Sequence, residues 1–178
     1  MSGDLGEILG VAYLSEFTEF KYGVKKLRWK DHRNMAMRGE DVLAFGIDTK
    51  TGNLILVKGE AKSRVKLAAS VVATARKALC SNKGHPSAHA MSYLADRFFE
   101  QGETQMTDLL DNAQLKKRMP LSRVTHLLFT FSGNDPTEIL HKNLSGYPDN
   151  IRQMYVGLQV AKHQEFIKAV FKEAANGV

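Results

Sequence analysis

Two apolar runs, Asp41-Val42-Leu43-Ala44-Phe45-Gly46-Ile47 and Leu54-Ile55-Leu56-Val57, are separated only by Asp48-Thr49-Lys50-Thr51-Gly52-Asn53. Branched and aromatic side chains suit a pleated strand and an Asp/Gly/Asn-rich spacer suits a turn, so the pair reads as a buried β-hairpin. The second run continues as Lys58-Gly59-Glu60-Ala61-Lys62. From Arg64 to Leu79 the pattern then becomes helical, with Val65, Ala68, Ala69, Val72, Ala75 and Leu79 on one side. A buried hairpin that leads into a helix with a small-residue face points to a sheet with helices packed on it, an α/β fold.

The flanking segments extend this plan. Asp4 to about Phe20 reads as a largely buried helix, with Leu5, Ile8, Leu9 and Ala12 as its stripe and Val11, Leu14 and Phe17 widening it. Asp4 can cap this helix, and Glu7 three residues later completes a capping-box pattern. Tyr22 to Trp29 alternates apolar and basic residues and suits a partly exposed strand. Helices are expected from Pro86, at a first helical position, to Glu100 and from Thr104 to Lys117. Val124–Phe131 and Met154–Val160 read as strands, and Lys162–Ala174 as a closing amphipathic helix. The order predicts a mixed central sheet flanked by helices on both faces.

The 178 residues fit a single domain, 1–178, which suits a free-standing protein or the catalytic part of a longer one. Hydrophobic residues at 43% and charged residues at 25% argue against disorder and coiled-coil composition. No apolar run approaches the roughly 18 residues of a membrane span, and the Met1-Ser2-Gly3-Asp4 start lacks a signal peptide's basic region. Cys80 is the only cysteine, which excludes an internal disulfide and a thiolate zinc cluster. A cytoplasmic protein with no membrane partner is expected. Lys and Arg total 25 against 19 Asp and Glu, and the net charge of +6 favours a polyanionic partner.

The chemistry concentrates at the hairpin's charged end. In a strand Glu60 and Lys62 share one face and Ala61 takes the other, while Asp41, nineteen residues before Glu60, begins the neighbouring strand. Two carboxylates beside an ammonium suit a hard divalent cation, Mg2+ or Mn2+, that also meets phosphate oxygens. The lysine can stabilise charge on phosphate or orient an attacking water. A Glu-x-Lys on an exposed strand is ordinarily only a surface ion pair. Here it ends an apolar strand, where buried charges need partners or a metal.

Other candidates carry two readings each. Adjacent Glu40 competes with Asp41 for the ligand position, although strand geometry would turn the two to opposite sides. Arg38, Arg64, Lys66 and Lys77 are candidate DNA contacts or the solvated face of the following helix and strand ends. Cys80, His85 and His89 suggest a metal through the helical spacing of the histidines, but a fourth ligand is missing. Trp29 can stack a base or pack an edge.

Asp41, Glu60 and Lys62, in this order of elements, resemble the PD-(D/E)xK nuclease superfamily. Its restriction-endonuclease-like core runs helix, three strands, helix, strand, and the likeness covers roughly Asp4 to Phe131. The resemblance implies that Asp41, Glu60 and the Ala61 carbonyl ligate metal and that Lys62 serves the attacking water or scissile phosphate. It also makes Glu7, otherwise a capping residue, the acid that many members carry on the first helix. No proline precedes Asp41, a departure from the pattern. Within the superfamily, Gly3-Asp4-Leu5-Gly6-Glu7-Ile8-Leu9, Gly39-Glu40-Asp41 and Gly59-Glu60-Ala61-Lys62 are similar to the nuclease subunit of Hachiman anti-phage defence systems. That likeness implies a DNA-cutting defence enzyme working beside a helicase subunit. The alternative is a catalytically inactive nucleic-acid-binding module or a structural subunit of a larger complex.

Overall fold

The hairpin forms as β2 (Val42–Ile47) and β3 (Leu54–Arg64), paired antiparallel in a register running from Val42 opposite Gly59 to Ile47 opposite Leu54. Asp48 organises the turn: its carboxylate accepts from the Lys50 N–H and the Thr51 hydroxyl, both at 2.9 Å, and Gly52 takes the left-handed conformation at φ +67°. Gly59 is required by close approach, because a Cβ there would lie 2.7 Å from Cβ of Val42. This computed structural model describes residues 2–20, 22–23, 40–116, 119–147 and 150–177.

Around the hairpin, β1 (Tyr22–Gly23) pairs antiparallel with β2, whereas β4 (Val124–Ser132) and β5 (Arg152–Gln159) extend the sheet in parallel, giving the order β1-β2-β3-β4-β5. Parallel neighbours need long crossovers. Between β3 and β4 these are α2 (Ala69–Leu79), α3 (Ala88–Glu100) and α4 (Thr104–Asp111), the last continuing as a π turn over Asn112–Lys116. Between β4 and β5 the crossover is α5 (Thr137–Ser145).

Helices cover both faces, as the element order predicts. α1 (Ser2–Phe17) and α6 (His163–Asn176) bury Leu5, Leu14 and Ile167 against Val42, Val57, Leu127, Phe129 and Phe131. Strand residues of opposite parity face the remaining helices. Leu43, Phe45, Leu54 and Leu56 pack on α3 and α4, and Leu128 packs on α2 and α5. All of β4 is buried, as expected for a strand with parallel neighbours and helices above and below.

Several boundaries differ from the sequence reading. α1 begins at Ser2, so Asp4 lies inside its first turn and the Asp4–Glu7 capping box does not form. Val11 and Leu14 are buried on α1, but Phe17 is 73% exposed at its end. Arg64 is the last residue of β3 and Lys66 lies in the connection before Ala69, so neither belongs to the helix expected over 64–79. β3 pairs with β4 as far as Ser132, and this parallel ladder keeps the chain extended through Arg64. Pro86 precedes the N-cap Ser87, whose side chain accepts from the Ala90 N–H. Of the Tyr22–Trp29 strand only Tyr22 and Gly23 are described; Trp29 lies outside the described residues. No helix among the described residues is long and apolar enough to cross a membrane.

Candidate active site

Continuing the hairpin register by one residue sets Asp41 opposite Glu60. One Asp41 oxygen accepts from the Ala61 N–H at 3.2 Å and lies 3.5 Å from Nζ of Lys62, which also donates to the Glu60 carboxylate. The hairpin thus brings together the three residues singled out in the sequence. Their side chains are 16–21% exposed, enough shielding to strengthen electrostatics while leaving the group open to solvent. Burial raises the Glu60 pKa above its ordinary value and repulsion from Asp41 raises it further, while the Lys62 ammonium acts in the opposite sense. Two carboxylates against one ammonium leave an excess negative charge when all are ionised.

Ala61 turns its side chain to the opposite face, toward α1, where Gly6 comes close enough that a Cβ there would lie 3.9 Å from that of Ala61. The N–H and C=O of one strand residue project toward the same edge. Because the Ala61 N–H meets Asp41, the Ala61 carbonyl faces the Asp41 side of β3 as well. The donor set of Asp41, Glu60 and this carbonyl is all oxygen, which fits Mg2+ or Mn2+; magnesium commonly takes one or two carboxylates and keeps several waters. No group of three or more His, Cys, Asp or Glu side chains arranged to hold a metal occurs among the described residues, so a cation here would depend on that carbonyl and on water.

Glu40 goes elsewhere. Its carboxylate accepts from the Ser87 N–H at 2.7 Å and the Ser87 hydroxyl at 3.2 Å, and lies 3.9 Å from Nζ of Lys58. The structure therefore separates the two adjacent acids: Asp41 joins Glu60 and Lys62, and Glu40 binds the start of α3. The Glu40 side chain is only 6% exposed. Lys58 is the functional-site neighbour that the sequence reading missed. Burial lowers its pKa, and the nearby Glu40 charge partly counters that. A lysine on the same strand face as Leu54 and Leu56 was the available signal.

The family model HamA matches residues 1–174. The chain belongs to the HamA family. A curated relative, "Hachiman protein HamA" of Bacillus cereus, is 26% identical over 176 residues, covering 99% of this chain and 61% of the relative. The chain thus spans about three-fifths of that relative's length. The HamA match spans Glu7, Asp41, Glu60 and Lys62, and it extends over β5 and most of α6, where no family motif was legible.

The remaining candidates in this HamA-family chain are spread around the site. Glu7 is half-buried on α1, one residue beyond Gly6, on the helix that covers the other face of β3. Arg64 and Lys66 are exposed just after Lys62 on the chain. Arg64 donates to the Ser63 carbonyl at 2.8 Å. Lys77 is exposed near the far end of α2, and Arg38 lies outside the described residues. Cys80, His85 and His89 form no metal site. Cys80 and His89 are exposed, and both ring nitrogens of His85 face backbone carbonyls, those of Lys83 and Met119.

Proposed function

We propose that this chain is a metal-dependent nuclease that hydrolyses DNA phosphodiester bonds in anti-phage defence. The observation that carries the reading is the convergence of Asp41, Glu60 and Lys62, which sets an excess carboxylate charge beside an ammonium in a partly shielded site. Asp41, Glu60 and the Ala61 carbonyl would hold Mg2+ or Mn2+. When bound, such a cation supplies Lewis acidity toward a phosphate oxygen and a water molecule. Lys62, released from part of its pairing with the two carboxylates, would donate to the scissile phosphate or hold the attacking water. Its charge stabilises the negative charge that builds up on the phosphate. Glu7 would act as an accessory acid from α1. Exposed Arg64 and Lys66 lead away from Lys62 and, with Lys77, would meet neighbouring phosphates.

Membership in the HamA family and the likeness to a protein named for the Hachiman system support the defence role. A helicase subunit is the partner we propose for it. The rival reading is a nuclease-like binding module without catalysis. It is favoured by the direct pairing of Lys62 with both carboxylates, which gives the cluster an internal partner.

The test is incubation of supercoiled, linear and single-stranded DNA with magnesium, manganese or EDTA, alone and beside a purified helicase partner. Cleavage should require the metal. Asp41→Asn and Glu60→Gln should lower its rate on the order of a hundredfold or more, as loss of a preorganised charge does elsewhere. Lys62→Ala should reduce the single-turnover rate more than DNA affinity, and Glu7→Gln should slow cleavage without unfolding the chain. Cleavage that persists in EDTA or in Glu60→Gln would overturn the reading, and salt-dependent binding without cleavage in every condition would favour the rival.

A further inference from the structure

Asp41 stands one residue outside the β2–β3 ladder, whose first described pair is Val42 with Gly59. The ladder therefore anchors it only through its C-terminal neighbour. On the other side Glu40 is tied to the start of α3, with one carboxylate oxygen on the Ser87 N–H and the other on the Ser87 hydroxyl. The same hydroxyl accepts from the Ala90 N–H at 3.3 Å, which builds the Glu40 contact into the helix cap. Beneath it, Nζ of Lys58 commits its three N–H bonds to the Ser81 carbonyl, the Ser81 hydroxyl and the His85 carbonyl, at 2.9, 3.1 and 3.0 Å. Glu40, at 3.9 Å, is its counter-charge. The two side chains are 3% and 6% exposed, so neither can exchange its partner for water without opening the structure.

We infer that the Glu40–Ser87–Lys58 cluster is a positioning device for Asp41: it fixes the Glu40–Asp41 peptide against α3 and thereby holds the Asp41 carboxylate at Ala61 and Lys62. Glu40 and Lys58 touch no reacting group and act only through Asp41. The device also draws in the α2–α3 connection, since Ser81 and His85 bracket Asn82, Lys83 and Gly84, which all have positive φ. Such a run is costly for non-glycine residues and persists only where neighbours hold it. The Lys58 amine at both ends and the His126 ring on the Gly84 carbonyl at 2.8 Å do so from the sheet below. A helix start, a strained connection and the residues leading into β2 are thus gathered around one buried ammonium.

The inference rests on the reading of Asp41 as a site residue, but it can be measured without activity. The Ala61 amide donates to Asp41 and so reports where that carboxylate sits. Hydrogen exchange by NMR on the whole chain should show Ala61 protection falling at least tenfold in Glu40→Ala and in Lys58→Met, while amides in the middle of β4 fall no more than the loss of global stability requires. Glu40→Gln still offers an oxygen to the Ser87 N–H and should retain most of the Ala61 protection. Met106→Ala, a core truncation on α4, should lower the melting temperature and leave Ala61 protected relative to β4. Ser87→Ala removes the hydroxyl's bonds to Glu40 and to the Ala90 N–H but keeps the Ser87 N–H on Glu40, and should give a smaller loss of the same sign, which keeps the test available if the buried-charge variants fail to fold. Manganese affinity, followed by calorimetry, should weaken in Glu40→Ala. Unchanged relative Ala61 protection in the folded variants would overturn the inference and leave the cluster a stability feature only. A wild-type chain that neither binds manganese nor cuts DNA would overturn the nuclease reading, while the exchange result would still decide whether the cluster positions Asp41.

Discussion

Glu60 experiences opposing influences whose balance can be measured. Burial and the Asp41 carboxylate raise its pKa from the ordinary 4.5, more than Lys62 lowers it, so the folded chain holds a proton there more tightly than the unfolded chain does. Between 4.5 and the raised value the native state binds more protons, and stability therefore falls as pH rises through that window. Above it, the ionised carboxylate is a liability in the metal-free protein. Glutamine resembles the protonated acid in shape and carries no charge. In EDTA, Glu60→Gln should be at least as stable as wild type at pH 7, and its advantage should shrink as pH is lowered toward 4.5. Urea unfolding at a series of pH values reads this directly, and parallel stability curves for the two proteins would refute it. The same substitution should abolish the stabilisation that magnesium gives to the wild type, because a ligand that binds only the native state stabilises it in proportion to its occupancy.

At the level of elements, the site depends on how closely β2 and β3 approach at their charged end. Gly59 lies opposite Val42, one pair inside Asp41 and Glu60, and a Cβ there would meet Cβ of Val42 at 2.7 Å. That atom is rigidly attached to backbone and cannot turn aside, so the strands themselves must move. Gly59→Ala should cost about 1–3 kcal/mol, the range for overpacking a filled core, despite alanine's better strand propensity. Denaturant unfolding checks the cost. A shifted Ala61 amide resonance would show that the displacement reaches the carboxylates. Legibility also varies by element. The hairpin could be read because its apolar runs and its Asp48-to-Asn53 turn are local signals. α5 could not, since Ile139, Leu140 and Leu144 make a short stripe behind Pro136 that resembles a loop until the parallel pairing of β4 with β5 demands a crossover.

Across the whole molecule, the net charge of +6 coexists with a locally acidic site, an arrangement in which the surface attracts a polyanion and the carboxylates are left to a cation. Arg64, Lys66 and Lys77 are exposed cations at the end of the site strand and in the segment that follows it. Each one that neutralises a phosphate should, when changed to alanine, reduce the slope of log affinity against log salt by about one and leave sequence preference unaltered. Fluorescence anisotropy with a short duplex at several salt concentrations measures the slope. If all three variants keep the wild-type slope, the phosphate track lies on another face.

Parity along one strand and the length of one turn were enough to set Asp41, Glu60 and Lys62 on a common side, because a hairpin is local and its side chains alternate. The mixed sheet followed from the same kind of pattern, with an apolar hairpin before a helical segment and more strands after it. Alternation already turned Glu40 and Asp41 to opposite sides, but the anchoring of Glu40 was not accessible in this way. It depends on Ser81, His85 and Ser87, which reach the hairpin only once α2 and α3 have folded over the sheet. The burial of Lys58 has the same origin, as does the seating of the His85 ring between two carbonyls, whereas the missing fourth ligand already argued in the chain against a metal at Cys80, His85 and His89. Contacts made within one supersecondary unit leave a periodic trace in the chain. Contacts that close over dozens of residues leave none, because any polar side chain of suitable length could have supplied them.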